Sequence, residues 1–133
     1  MGSRGAYLKT GGFTEYNYST VIRYNNVRYI IQKDSKKNLK LPERSNSKWA
    51  VYAVISPKGD IQYVTYYDGS RRLYKEIDLR HFHGGIKPHV HDIDVTKLSL
   101  RTTEARKLKK KEATRLYKIL KFYRKHEQDL KLN

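Results

Sequence analysis

Apolar positions in the first two thirds of the chain come in short blocks, several of them alternating with polar residues, and turn-forming residues separate the blocks. Tyr18 to Tyr24 and Val27 to Gln32 are rich in β-branched and aromatic side chains. They meet at Asn25-Asn26, a pair that tolerates the positive φ of a tight turn, which predicts a β-hairpin. Lys33 to Lys48 then carries Asp34-Ser35-Lys36-Lys37-Asn38, Pro42 and Ser45-Asn46-Ser47, polar and without helical period, and is expected to be a basic loop. Trp49 to Ser56 is apolar on both faces, Pro57-Lys58-Gly59-Asp60 is a turn, and Ile61 to Tyr67 is again aromatic and β-branched. Those two runs are expected to be central strands of an antiparallel meander. Asp68-Gly69-Ser70 reverses the chain once more. Leu73, Lys75, Ile77 and Leu79 then alternate with Tyr74, Glu76 and Asp78, the pattern of a third strand with one buried and one wet face.

After Asp94 the period lengthens. Ala105, Leu108, Leu116, Ile119, Leu120 and Tyr123 recur at helical spacing, with Thr102 or Thr103 as an N-cap and Glu104 in the first turn. One amphipathic helix is predicted over about Thr103 to Glu127. Its outer face carries a run of cations from Arg106 and Lys107 to Arg124 and Lys125, either an ordinary solvated face or a rail for phosphates. The expected fold class is α+β: an N-terminal hairpin plus a three-stranded antiparallel meander, with a long basic C-terminal helix. Residues 1–133 form a single domain in this reading, with 1–10 a flexible start, 11–94 mainly β and 95–133 mainly helical.

Composition narrows what such a domain meets. Lys and Arg total 29 against 13 Asp and Glu, a formal charge of +16. That excess points to a polyanionic partner, phosphate backbones first, anionic lipid second and an acidic protein third. Tyrosine appears twelve times, and it faces a ligand as readily as a core. Tyr63, Tyr66, Tyr67 and Tyr74, interleaved with Arg71, Arg72 and Lys75, suit base stacking beside phosphate-binding cations, although core or cross-strand packing accounts for at least half of them. With no cysteine there is no disulfide, zinc ribbon or thiol nucleophile. No apolar run approaches the roughly 20 residues of a membrane span, and the N-terminus lacks the hydrophobic core of a signal peptide.

The densest chemistry lies between Arg80 and Asp92, where four of the five histidines form two His-x-His pairs around Gly84-Gly85 and Pro88. A spacing of two puts both members of a pair on one face of a strand, and the Gly-Gly turn brings the pairs together. A metal site has ligands enough in His81, His83, His89 and His91, with Asp92 or Asp78 as a carboxylate. Against it, Arg80, Lys87 and the helix make a positive field, and neither His-Glu-x-x-His nor an HNH-like spacing is present. A metal-free ribonuclease uses the same residues with no cofactor. RNA carries its own nucleophile in the 2′-hydroxyl, so the enzyme supplies a base, an acid and cations for the phosphorane charge. His89 or His91 is the expected base and His81 or His83 the acid, with Arg80, Lys87, Arg71 and Arg72 holding phosphate. Nearby cations favour the neutral imidazole that a base requires. Packing explains part of the pattern as well: if Phe82 and Val90 point into the core, all four histidines point outward.

Three segments taken together carry a resemblance: Gly11-Gly12-Phe13-Thr14-Glu15-Tyr16; Leu41-Pro42-Glu43-Arg44-Ser45-Asn46-Ser47; and Tyr66-Tyr67-Asp68 through Lys75-Glu76-Ile77-Asp78-Leu79 to His81, His83 and Pro88-His89-Val90-His91. Their order resembles the C-terminal nuclease-like domains of bacterial polymorphic toxins and phage head-associated proteins, several of which are assigned to the barnase/EndoU/RelE-like group of metal-independent RNases. The resemblance covers Gly11 to the start of the helix. It implies a helix-plus-antiparallel-sheet fold, an RNA target, and a cognate immunity or antitoxin protein. His89 and His91 carry over first, then His81 and His83. Sheets of that group are usually preceded by a helix, whereas Ala6 to Ser19 shows no helical period. A toxin of this kind acts in the cytoplasm. The other outcomes are a virion-associated phage or mobile-element module that binds nucleic acid or a protein without catalysis, and a metal-dependent nuclease.

Overall fold

The protein, analysed as a computed structural model that describes residues 18–32, 44–80, 88–93 and 105–130, is a six-stranded sheet with one helix across it. The flexible start expected at 1–10, most of the basic loop, the N-cap threonines Thr102 and Thr103, and Phe82, His81, His83 and Lys87 lie outside the described residues. The strands are β1 (Tyr18–Tyr24), β2 (Val27–Gln32), β3 (Val51–Ile55), β4 (Ile61–Tyr67), β5 (Leu73–Asp78) and β6 (His89–Asp92), and the helix is α1 (Lys110–Leu130). In space the strands follow chain order from β1 to β6. This is the expected α+β class, with the hairpin, the meander and the long basic helix in place.

Local chemistry explains the turns. Asn25 and Asn26 sit at φ of 49° and 63°, as a tight hairpin connection between right-twisted strands requires. Gly59, at φ 99°, closes the β3–β4 turn, where its carbonyl accepts a hydrogen bond from the Tyr123 hydroxyl of α1. Between β4 and β5 the Asp68 carboxylate accepts from the backbone N–H of Ser70 and of Arg72, at 2.8 and 2.9 Å. That Asx-type bonding substitutes for a backbone turn.

One pairing departs from an all-antiparallel order. β2 and β3 run parallel, Val27 beside Val51 and Ile31 beside Ile55. A parallel neighbour needs a crossover of a dozen or more residues, and residues 33–50 supply that length.

Both sides of the central strands are covered, and β3 is buried at every position. On one side Tyr29, Val51, Ala53, Val64, Ile77 and Val90 pack against Leu116 and Ile119 of α1. The Tyr29 hydroxyl, wholly buried, donates to the Ile119 carbonyl at 2.9 Å. Ile30, Tyr52, Val54, Tyr63, Tyr67 and Leu73 form a second cluster on the other side. Tyr63, Tyr66 and Tyr67 are therefore core residues, which removes them as surface platforms for bases.

The helix starts later than its period predicts. Residues 105–109 are not helical; Arg106 instead forms a β-bridge with Val90, each N–H donating to the other's carbonyl at 2.8 and 2.9 Å. Lys109 is the N-cap: its carbonyl accepts from Ala113, and its own N–H donates to the Glu112 carboxylate at 2.7 Å. That is the backbone half of a capping box, with glutamate at the third helical position. Ala105, Leu108 and the cations Arg106, Lys107 and Lys109 thus precede the helix rather than belong to it.

A buried carboxylate and imidazole cluster

Cross-strand register builds the candidate site. β5 and β6 pair antiparallel with Glu76 opposite His91 and Asp78 opposite His89. On the other side of β5, Thr65 of β4 lies opposite Glu76 and Tyr63 opposite Asp78. Directly paired residues share a face and bring their Cβ atoms to about 5 Å. Two rows result, Thr65–Glu76–His91 and Tyr63–Asp78–His89, on the side of the sheet away from α1. The period-two spacing of each pair does what a strand demands: Val90 turns to the helix side and is fully buried, while His89 and His91 turn together to the other.

Two expectations are corrected at this point. The face bearing Glu76 and Asp78 is not wet, since Glu76 is 1% exposed and Asp78 5%. His89 and His91 do not point into solvent either, at 1% and 9%. Pleating moves them off the Val90 side, but the far side of this sheet is covered too. Four ionisable groups therefore sit together beneath the surface, an arrangement that costs free energy unless the groups satisfy one another.

One carboxylate–imidazole pair among them is close enough to do so. His89 Nε2 lies 3.7 Å from Asp78 Oδ2. The His89 and His91 rings meet edge to face with centroids 5.0 Å apart. Asp78 Oδ1 accepts from the Arg80 backbone N–H at 2.7 Å, which fixes the carboxylate. The Arg80 guanidinium donates to the Tyr63 hydroxyl at 3.0 Å and stands 5.6 Å from that ring's centroid, so a cation lies beside the Asp78 row. Thr65 Oγ1 is buried with no hydrogen-bond partner among the described residues.

No family model, curated protein or solved structure matches this chain.

A second network fixes β6 from its outer side. Arg106, bridged by its backbone to Val90, donates from Nε and Nη2 to the two oxygens of Asp92, and from Nη1 and Nη2 to the two oxygens of Glu112. Lys75 Nζ donates to Glu112 at 2.9 Å. Forked guanidinium–carboxylate pairing of this kind combines strength with directional specificity. The Arg106 hydrogen bonds hold the Glu112 carboxyl far below the usual carboxylate range and lower that of Asp92, and the same contacts, Glu112 first, raise the Arg106 guanidinium. Asp92, a possible metal ligand from sequence, is therefore engaged by arginine. Among the described residues no group of three or more histidines and carboxylates is arranged to hold a metal ion.

The other expected phosphate ligands separate. Arg80 joins the cluster. Arg71, at φ 66°, and Arg72 occupy the β4–β5 turn at the opposite end of β5 from Asp78, about 20 Å away at a strand's rise per residue. Of the carboxylates opposite the histidines, the sequence reading named Asp78 only as a carboxylate for a metal site and did not single out Glu76. The available signal was two period-two pairs, Glu76/Asp78 and His89/His91, on either side of the Gly84-Gly85 segment of the sequence.

Proposed function

We propose that this domain binds RNA and cleaves it by metal-independent acid/base chemistry, as a toxin-like ribonuclease. The carrying observation is the pairing of Glu76 with His91 and of Asp78 with His89, with Arg80 alongside. Burying two carboxylates and two imidazoles in a small sheet is a poor way to gain stability, since apolar residues of similar volume serve as well or better. Such groups are useful where protons move.

His91, the more accessible of the two histidines, is the group that takes the 2′-hydroxyl proton, with Glu76 opposite it on β5. His89, held by Asp78 and edge-on to His91, positions that ring. The acid that protonates the leaving 5′-oxygen comes from the His81, His83 pair. Arg80 stabilises the charge that develops on phosphorus, as preorganised donors do in acyl and phosphoryl transfer. The net charge of +16 supplies the long-range attraction for a polyanion. The resemblance of the Pro88-His89-Val90-His91 segment to nuclease-like toxin domains supports the same class, and with it a cognate immunity or antitoxin partner.

A second reading has one observation in its favour. His89 is almost wholly enclosed, which suits a polar core inside a non-enzymatic, nucleic-acid-binding phage or mobile-element module. Incubation of the purified protein with RNA and with DNA, each with and without chelator, separates the cases. RNA cleavage that survives EDTA is expected. Cleavage lost with EDTA makes the domain a metal-dependent nuclease, and salt-sensitive binding without turnover makes it the non-enzymatic module.

A further inference from the structure

On the opposite side of the sheet from His89 and His91, a groove of about 560 Å³ runs between the tip of the β1–β2 hairpin and the first half of α1. Tyr24, Asn25 and Val27 form one wall, and Lys110, Lys111, Thr114, Arg115, Lys118 and Ile119 the other. Four cations line it. Glu112 is the only acid from Lys110 to Lys121, and it is turned away, buried and bonded to Arg106 and Lys75. Lys110, Lys111 and Lys118 are exposed and make no ion pair among the described residues. The N-terminal end of the helix adds the positive end of its dipole to the same space.

The groove also has an aromatic floor at one end. Tyr24 is 45% exposed and stacks in parallel on Phe122, centroids 3.9 Å apart and rings within 8°. Phe122 in turn stacks on His126 at 4.2 Å. One face of Tyr24 is thereby fixed by packing, so its orientation is set before any ligand arrives. Lys111, Arg115 and Lys118 follow at i, i+4 and i+7, one face of the helix over about 10 Å. Rigid aromatic surface beside a row of mobile cations is how proteins hold unpaired bases together with the backbone that joins them. A duplex hides its base faces, and an acidic peptide has no use for the ring.

We propose that this groove binds single-stranded nucleic acid, one base stacking on Tyr24 and the backbone phosphates pairing with Lys111, Arg115 and Lys118. The site rests on the RNA-binding part of the function proposed above and is independent of cleavage.

The test measures binding of a short 2′-O-methyl RNA strand, which lacks the attacking hydroxyl, by fluorescence anisotropy over a salt series. Wild type is compared with Tyr24→Leu and with a Lys111→Gln/Lys118→Gln double variant, each checked for native circular dichroism. The double variant should flatten the plot of log affinity against log salt by about 1.4, since each single-strand phosphate that is no longer neutralised accounts for about 0.7. Tyr24→Leu should weaken binding roughly tenfold without changing that slope. If Tyr24→Leu perturbs folding, the double variant, altered only at exposed side chains, decides. Wild-type affinity in both variants overturns the site. So does equal, Tyr24-independent binding of the matching duplex or of a polyglutamate chain. Cleavage of a dinucleotide, too short to reach the groove, is measured in parallel. Loss of binding with no cleavage in any variant leaves the groove standing and removes the catalytic reading; cleavage with unaltered binding does the reverse.

Discussion

His91 differs from His89 in one respect that matters for chemistry: it is 9% exposed, against 1% for His89. His91→Ala is therefore expected to abolish RNA cleavage while leaving affinity for uncleavable RNA within about twofold, since most of that affinity comes from dispersed cations. Equal cleavage rates for wild type and variant would remove the assignment. Tyr29 gives a residue-scale test of the core. Burial pushes its hydroxyl up to about 12, and burial does the same to Tyr66. A folded-state value above the unfolded value of 10 means that this stabilisation is complete below pH 10 and is lost as pH rises through 12. The thermal midpoint should fall over that window. Tyr29→Phe should blunt the fall and cost about 1 kcal/mol at neutral pH, the worth of its bond to the Ile119 carbonyl, measured by urea unfolding. At this scale the sequence was half legible. Strand alternation gave the right side for Glu76 and Asp78, but the exposure of a face depends on what lies over it, and period-two spacing carries no information about that.

Elements are tied together where Arg106 meets β6 and α1. Its backbone extends the sheet beside Val90 while its side chain joins Asp92 to Glu112, so strand and helix are held by one residue. Arg106→Met should cost roughly 3 kcal/mol, because it leaves the buried Glu112 carboxylate with less compensation. Urea unfolding measures the difference. The Glu112 carboxyl sits below its ordinary value of 4.5, so its contribution is complete above pH 4.5 and declines as pH falls through the lower folded-state value. Acid unfolding should accordingly be shallower in Glu112→Gln than in wild type below pH 4.5. The late start of α1 has the same origin. Ala105 and Leu108 fit a helical period, and nothing local says that Arg106 will pair with a strand distant in sequence. The parallel β2–β3 pair was missed for a related reason: hairpin turns advertise antiparallel neighbours, whereas a crossover declares itself only by the length of residues 33–50. The hairpin, the central strands and the basic helix were read correctly because their signals are local: Asn25-Asn26, unbroken apolar runs, and a 3.6-residue period around Leu116 and Ile119.

Across the whole molecule, the two proposed activities fall on opposite sides of the sheet. The side away from α1 holds the carboxylate and imidazole rows; the helix side carries the cation-lined groove. Affinity for RNA should fall steeply with salt, whereas cleavage of a dinucleotide should change little, since the cluster acts over a few ångströms. The most direct test of the proposed chemistry is the identity of the new ends when RNA is incubated with the protein in EDTA. Attack by the 2′-hydroxyl leaves a 2′,3′-cyclic phosphate and a free 5′-hydroxyl, and this pair of ends should appear with wild type and vanish with His91→Ala. Products bearing 5′-phosphates, or the same cyclic ends in undiminished yield from His91→Ala, would contradict it.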